Sequence, residues 1–311
     1  MHRFAAIGEA MIELAEPQPR ALIMSFAGDS LNTSVYLARL APKTAIEINY
    51  ITLLGVDPYS DQMILDWQKE GIHTSHIHRL EGKLPGLYLI RTDQTGERSF
   101  YFYRSASAAR EMFSKEHAAL LEPILLAMDY LYLSSITLAI LDEDKYHRLL
   151  TILKKAHQRG ISIVFDTNYR PSLWPTLSAA QKRIQEVLAL VTMSLVTFDD
   201  EQQLFQDKTP LACVARHHSL GVREIVVKQG KAPCLISLDG KHSEVSAARV
   251  EKVVDTTSAG DAFNAGYLSG RLQGKTPQDA AGIGHQLAAT VIQYPGAIIP
   301  SQAMPILGKE I

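Results

Sequence analysis

The sequence predicts an α/β fold built on a parallel sheet, with a small antiparallel flap inserted into it. Three observations carry that reading. From about Leu120 onward, short apolar runs alternate with longer helical patterns, as a parallel sheet with crossover helices requires. Several of these runs lead into turn or polar residues, such as Asp166-Thr167-Asn168 and Lys228-Gln229-Gly230, and ligands of open α/β sheets bind at such carboxyl ends. Leu87–Arg91 and Arg98–Tyr103 flank Asp93-Gln94-Thr95-Gly96 with no crossover helix between them, which reads as a β-hairpin outside the main sheet.

Taken in chain order, Met1 to Glu9 form a short apolar strand ended by glycine and an acid. This start lacks the long apolar stretch and small-residue cleavage site of an export signal. Phe26 to Val35 brings small and polar residues into a helix that runs through Leu40; Gly28 permits close approach, and Asp29 and Asn32 offer hydrogen bonds that suit sugar hydroxyls. Asp29 serves equally well as a helix N-cap. The segment from Ile12 to Phe26 and the hairpin together predict a flap over the site. Tyr130–Leu133 and Ile161–Phe165 read as strands followed by helices near 143–159 and 179–191, and Leu195–Thr197 and Ile225–Val227 continue the sheet. Gly270 to Thr276 resembles a phosphate-binding Walker loop but has three residues between its glycines where four are needed, and it follows a helix. It reads instead as a helix-ending glycine followed by Thr276 capping a new helix that starts with Pro277.

Composition narrows the function. The 311 residues suit one large domain with a small insertion. Thirty-one Lys and Arg against 33 Asp and Glu exclude a general attraction to nucleic acid or anionic lipid, so an anionic ligand must be held by local groups. Cys213 and Cys234 form neither a disulfide framework nor a zinc site, and no window reaches the length of a membrane span; a reducing cytoplasm is the expected home.

The most informative stretch is Val253 to Gly266. An apolar strand end gives way to small residues and then to a helical pattern. Ala259-Gly260 lets a ligand approach the backbone, and the N–H groups of a first helical turn favour an anion there. Asp261 beside that site is placed to accept a proton from an attacking hydroxyl, a combination suited to phosphoryl transfer. Asp255 and Asp261 are equally compatible with helix-capping acids. No G-x-G-x-x-G follows a strand, which argues against a dinucleotide-dependent dehydrogenase.

Asp255 to Asp261 resembles the D-T-x-x-[AG]-G-D signature of the ribokinase-like, PfkB-type carbohydrate kinases, and Gly28 to Asn32 resembles their sugar-binding G-x-x-x-N. The likeness runs nearly the whole length, through Gly8–Leu14, Leu84–Tyr88, Asp166–Trp174 and Tyr294–Pro300, and is close to a member that takes a sugar acid. It implies a three-layer α/β/α sandwich over residues 1–311, with a β-sheet lid formed by insertions at about 10–26 and 84–106. It also implies ATP-dependent phosphorylation of a small sugar acid, with magnesium, and leaves room for a monovalent cation near Asp255 and Thr257.

By position, the resemblance makes Asp261 the base and the N–H groups of Ala259, Gly260 and Asp261 an anion hole. Gly28, Asp29, Asn32, Tyr88, Arg104, Ile136 and Arg170 would hold the substrate, as would Phe102, which stands where a tyrosine is expected, or Tyr101 or Tyr103 in its stead. Asn168, Lys228, Gly230, Ser258, Gly260 and His285 would hold the nucleotide, with Glu201 organising magnesium indirectly. A guanidinium fork suits a carboxylate, although Arg170 could instead pair with Asp166 and Arg104 could face solvent. Ala27 replaces a glycine and would add a methyl close to the sugar, while Phe198 replaces the Asn of the N-x-x-E element. Pairing of subunits through the exposed flap edge is a further expectation. The rivals are a kinase for a neutral sugar or nucleoside and a catalytically silent sugar-binding protein.

Overall fold

The computed structural model describes residues 1–18, 20–42, 45–92 and 98–306. Its strands are β1 (His2–Ile7), β2 (Met11–Gln18), β3 (Ala21–Ala27), β4 (Ile46–Ile51), β5 (Leu53–Gly55), β6 (His78–Leu80), β7 (Gly86–Thr92), β8 (Arg98–Tyr103), β9 (Tyr130–Ser134), β10 (Ser162–Asp166), β11 (Met193–Thr197), β12 (Glu224–Gln229), β13 (Ala232–Leu238) and β14 (Lys241–Val245). The α-helices are α1 (Asp29–Leu40), α2 (Pro58–Lys69), α3 (Lys115–Leu125), α4 (Ser135–Ala139), α5 (Glu143–Gln158), α6 (Leu177–Leu188), α7 (Phe198–Phe205), α8 (Pro210–Ser219), α9 (Ala259–Leu272) and α10 (Pro277–Val291).

The main sheet has the order β14-β13-β12-β11-β10-β9-β1-β4. It is parallel from β4 to β12, and β13 and β14 close one edge in antiparallel fashion. Because parallel strands are covered on both faces, alternate residues of one strand enter different cores. Phe4 and Ala6 of β1 pack with residues of α1, α2, α9 and α10, whereas Ala5 and Ile7 pack with residues of α3, α5, α6 and α8. The result is the three-layer sandwich. β1 has β4 on one side and β9 on the other, which makes its carboxyl end a switch point where ligand crevices form.

Helix ends follow local chemistry. Asp142 caps α5 by accepting from the Lys145 N–H at 2.9 Å, and Thr176 caps α6 through the Ala179 N–H at 3.1 Å. The Walker-like segment behaves as a helix junction: Gly274 takes φ 77° after α9, and Thr276 caps α10 ahead of Pro277. Among the described residues no helix is long and apolar enough to cross a membrane. Both cysteines are free and buried.

A separate four-stranded sheet, in the order β3-β2-β7-β8, stands off the main sheet, and β5 and β6 form a small parallel pair. The outer pairs β2/β3 and β7/β8 are antiparallel, but β2 and β7 run parallel, so the expected antiparallel flap is a mixed sheet. The chain makes two excursions from the core, and their outgoing strands lie side by side while the returning strands take the edges. The expected turn at Asp93 to Gly96 lies outside the described residues.

Helices α9 and α10 touch through glycine. A methyl placed on Gly266 would lie 2.7 Å from the Gly284 Cα, and one on Gly270 would lie 2.7 Å from the Ala280 Cα. Because α9 begins at the candidate site, this contact fixes the helix that carries Asp261. Gly266→Val is expected to cost ~2–3 kcal/mol through overpacking, read as a Tm lowered by at least ~4 °C in thermal denaturation.

Candidate active site

A cavity of about 510 Å³ opens between the carboxyl ends of the parallel strands and the small sheet. Its wall includes the starts of α1 and α9, the ends of β10 and β12, and side chains from β7, β8 and the residue after β8. The Gly28 motif and the Asp255 to Asp261 motif, far apart in sequence, meet here. Asn32 Nδ2 donates to Asp261 Oδ2 at 2.9 Å, and the Thr33 hydroxyl donates to the Asp261 carbonyl at 3.4 Å.

Asp261 lies in the first turn of α9 and is buried. Burial chiefly, and the Asp29 carboxylate next, push its carboxyl up to about 7, while the Asn32 hydrogen bond pulls the other way. A carboxyl poised near neutrality suits a general base. Neither acid of this stretch caps the helix. Asp255 accepts from the Thr257 N–H at 2.8 Å and the Gly296 N–H at 2.7 Å, tying the turn to the Tyr294 to Pro300 segment. Ser258 holds the position before α9 at φ 64°, with its buried hydroxyl lacking a hydrogen-bond partner among the described residues. The Ala259 N–H is donated to the Thr256 carbonyl at 3.2 Å. Of the three donors expected to form an anion hole, the Ala259 N–H is thus engaged within the turn.

On the substrate side, Gly28, Asp29, Asn32, Tyr88, Phe102, Arg104, Ile136 and Arg170 all line the cavity. Asp29 is not the N-cap: Gly28 precedes α1, and the Asp29 carboxylate accepts from the Ser134 hydroxyl and from Asn168 Nδ2. Arg104 is no solvent-facing cation, because it is buried in an ion pair with Glu9. Arg170 is half-exposed, 3.6 Å from Asp200, and does not pair with Asp166. Phe100 and Phe102 share one face of β8, stacked with centroids 6.3 Å apart. Tyr101 and Tyr103 alternate with them, do not line the cavity and are exposed, so neither replaces the tyrosine missing at Phe102. Ala27 is buried in a small cluster with Met11, Tyr88 and Ala297 and is not among the residues that line the cavity, contrary to the expectation that its methyl would face a ligand there.

Beneath Asp261 lies a buried polar network that joins Lys228, expected at the nucleotide, to Asp166 and to Asn264, which the motifs did not single out. Asp166 accepts from Lys228 Nζ at 3.1 Å and Asn264 Nδ2 at 2.6 Å, and Lys228 also donates to Asn264 Oδ1 at 2.9 Å. The Lys228 amine is thereby held 3.5 Å from where a Gly260 side chain would begin. Asp200, the residue before Glu201 in the acidic run, lines the cavity, and burial pushes its carboxyl up to about 6.

Glu201 does not face the cavity. It is buried against Arg216, His217 and the Thr167 hydroxyl. Its carboxyl is held low by His217 and Arg216 against the opposing effect of burial. Gly230 sits at φ 58° between β12 and β13, and His285 packs on Phe263 and bonds the Val245 carbonyl at 3.1 Å; neither lines the cavity. Asn168 and Ser258 do, although Asn168 serves Asp29. The oxygen donors of Asp166 and Asp200 are of the kind that magnesium takes.

The model of the pfkB family carbohydrate kinase matches residues 1–304. A 2-dehydro-3-deoxygluconokinase of Dickeya dadantii (strain 3937) is 46% identical over 304 residues, covering 97% of this chain and 98% of that protein. Among solved structures, a 2-dehydro-3-deoxygluconokinase of Thermotoga maritima superposes with a TM-score of 0.84 at 20% identity, covering 96% of each chain. A fructokinase of Xylella fastidiosa with bound ATP gives a TM-score of 0.82 at 24% identity, covering 98% of this chain and 95% of that one.

The Asp261 carboxyl makes stability depend on pH. Its folded value of about 7 lies above the ordinary 3.8, so its contribution is fully present below about pH 4 and is lost as pH rises through about 7. Asp261→Asn, neutral throughout, is expected to match the wild-type Tm near pH 4, to exceed it progressively as pH rises toward 7, and to exceed it by ~3 °C or more at pH 8.5 in thermal denaturation.

Proposed function

The chain belongs to the pfkB family of carbohydrate kinases, and from that premise we propose that it transfers the γ-phosphoryl group of ATP to the 6-hydroxyl of 2-keto-3-deoxy-D-gluconate (2-dehydro-3-deoxygluconate), giving 2-keto-3-deoxy-6-phosphogluconate and ADP. The observation that carries the mechanism is the Asn32–Asp261 contact, which sets a buried carboxyl of raised proton affinity between the sugar-side residues and Lys228. Asp261 takes the proton of the 6-hydroxyl as the sugar oxygen bonds to phosphorus and the bond to the β-phosphate oxygen breaks. The Gly260 and Asp261 N–H groups and the Lys228 ammonium stabilise charge on the transferring group. Magnesium arriving with the nucleotide would supply further charge neutralisation, and the carboxylates of Asp200 and Asp166 would hold it.

Two arginines on the sugar side of the cavity favour an acid over a neutral sugar. The four-stranded sheet acts as a lid that excludes water as a competing acceptor. The proposal includes a monovalent cation beside Asp255 and Thr257, where it would firm the turn leading into the anion hole, and a cytoplasmic location.

A coupled assay of ATP consumption is expected to give kcat/KM for 2-keto-3-deoxygluconate at least ~100-fold above fructose, ribose and adenosine, with an acidic limb near pH 7. Asp261→Asn is expected to lower kcat by ~1000-fold or more while calorimetry shows sugar binding within a few fold of wild type. Near-normal turnover in that variant would remove Asp261 from the mechanism, and a preference for a neutral sugar would replace the substrate.

The lid also exposes apolar residues on both edge strands, Leu22, Ile23 and Met24 on β3 and Tyr101 and Tyr103 on β8. An uncovered edge of this kind favours pairing with a second subunit. Sedimentation at micromolar concentration is expected to give a dimer, and Ile23→Lys with Tyr103→Lys to shift it to monomer; a wild-type monomer rejects the pairing.

A further inference from the structure

Arg104 enters the cavity from the residue after β8, but one end of its guanidinium is already committed. Its Nη2 donates to Glu9 Oε2, and the pair is withdrawn from water, with side-chain exposures of 9% and 0%. Glu9 lies on the segment between β1 and β2, so the contact joins the end of the small sheet's last strand to the carboxyl end of β1 in the main sheet. Two polar atoms of the pair, Glu9 Oε1 and Arg104 Nε, are buried without a hydrogen-bond partner among the described residues.

The space for this pair is reserved by a glycine. A methyl on Gly86 would stand 2.8 Å from Glu9 Oε1, 2.9 Å from Met11 Cγ and 3.2 Å from Arg104 Cβ. Two residues further along β7 a second buried acid is engaged, where the Tyr88 hydroxyl donates to Glu13. Arg104 and Tyr88, both lining the cavity, are thus braced by Glu9, just before β2, and by Glu13 within β2.

We propose that Glu9 is the positioning residue for carboxylate recognition. By holding the Nη2 end of Arg104, it keeps the rest of the guanidinium turned to the cavity for the substrate's acid group. Without Glu9, the other carboxylates of the cavity wall, Asp29 and Asp261 foremost, compete for the freed cation. The inference rests on the acid-sugar reading above, and it assigns to Glu9 no contact with substrate.

Steady-state kinetics with 2-keto-3-deoxygluconate and ATP varied separately tests it on Glu9→Ala, Glu9→Gln, Gly86→Ala and Arg104→Ala. Glu9→Ala is expected to raise KM for the sugar acid about tenfold or more, leaving KM for ATP and kcat within about threefold, a split that general destabilisation would not produce. Glu9→Gln, which keeps an acceptor oxygen, is expected to fall between it and wild type. Gly86→Ala leaves both charges in place and is expected to raise the same KM several fold. It also decides the matter, together with Glu9→Gln, if Glu9→Ala does not fold.

An unchanged or lowered sugar KM in Glu9→Ala or Glu9→Gln, against a raised one in Arg104→Ala, overturns the role of Glu9 and leaves the acid-sugar reading standing. An unchanged KM in Arg104→Ala overturns both the role of Glu9 and the part given to Arg104. Wild-type turnover of the acid against neutral sugars tests the substrate independently.

Discussion

The contact between the starts of α1 and α9 is the constraint on which the site depends. A carboxyl is buried there because the first turns of two neighbouring helices meet over the switch point of the sheet, and Asn32 compensates part of the loss of water. Four carboxylates, Asp29, Asp166, Asp200 and Asp261, share the cavity wall with Arg104, Arg170 and Lys228. The wall's charges nearly cancel, so a triphosphate needs both the helix start and an added cation. That is how a chain with no general positive field can handle two anions at once.

The same constraint explains the packing behind the site. The glycine contact of α9 with α10 lets the helix lie close against its neighbour, and Asn264, one turn beyond Asp261, reaches the Asp166–Lys228 pair on the sheet. Base, ammonium and helix start are therefore positioned by rigid elements rather than by loops.

The layered fold was legible because apolar runs and helical patterns are local signals, and Asp261 and Asn32 were legible because each lies near a glycine at a helix start. Orientation was harder to read. Asp200 and Glu201 are adjacent, and the rotation of about 100° per residue in a helix decides which one faces the cavity. Alternation along β8 separates Phe100 and Phe102 from Tyr101 and Tyr103, a phase that the aromatic run Phe100 to Tyr103 does not reveal. The parallel pairing of β2 with β7 joins segments some 75 residues apart, as in Glu13 with Tyr88, and no local pattern encodes it. Glu9 lay within a stretch used for the family resemblance, but its partner Arg104 is 95 residues away, and only the fold shows what it braces.

The lid leaves and re-enters the core at four points, and they converge on Glu9. The chain goes out at Glu9 itself and returns at Gly28, where a methyl would meet the Glu9 carbonyl oxygen at 2.3 Å. It goes out again at Gly86, against the Glu9 carboxylate, and returns at Arg104, which holds that carboxylate. A plate fastened around one spot has tilting as its soft mode and resists sliding. A tilt about that spot would carry the strand ends, some seven residues away, through the widest arc and the cavity-lining groups nearest the pivot through the smallest. Closure by such a tilt would leave the alignment at the fulcrum undisturbed, so that access and registration would be mechanically separate in one small sheet.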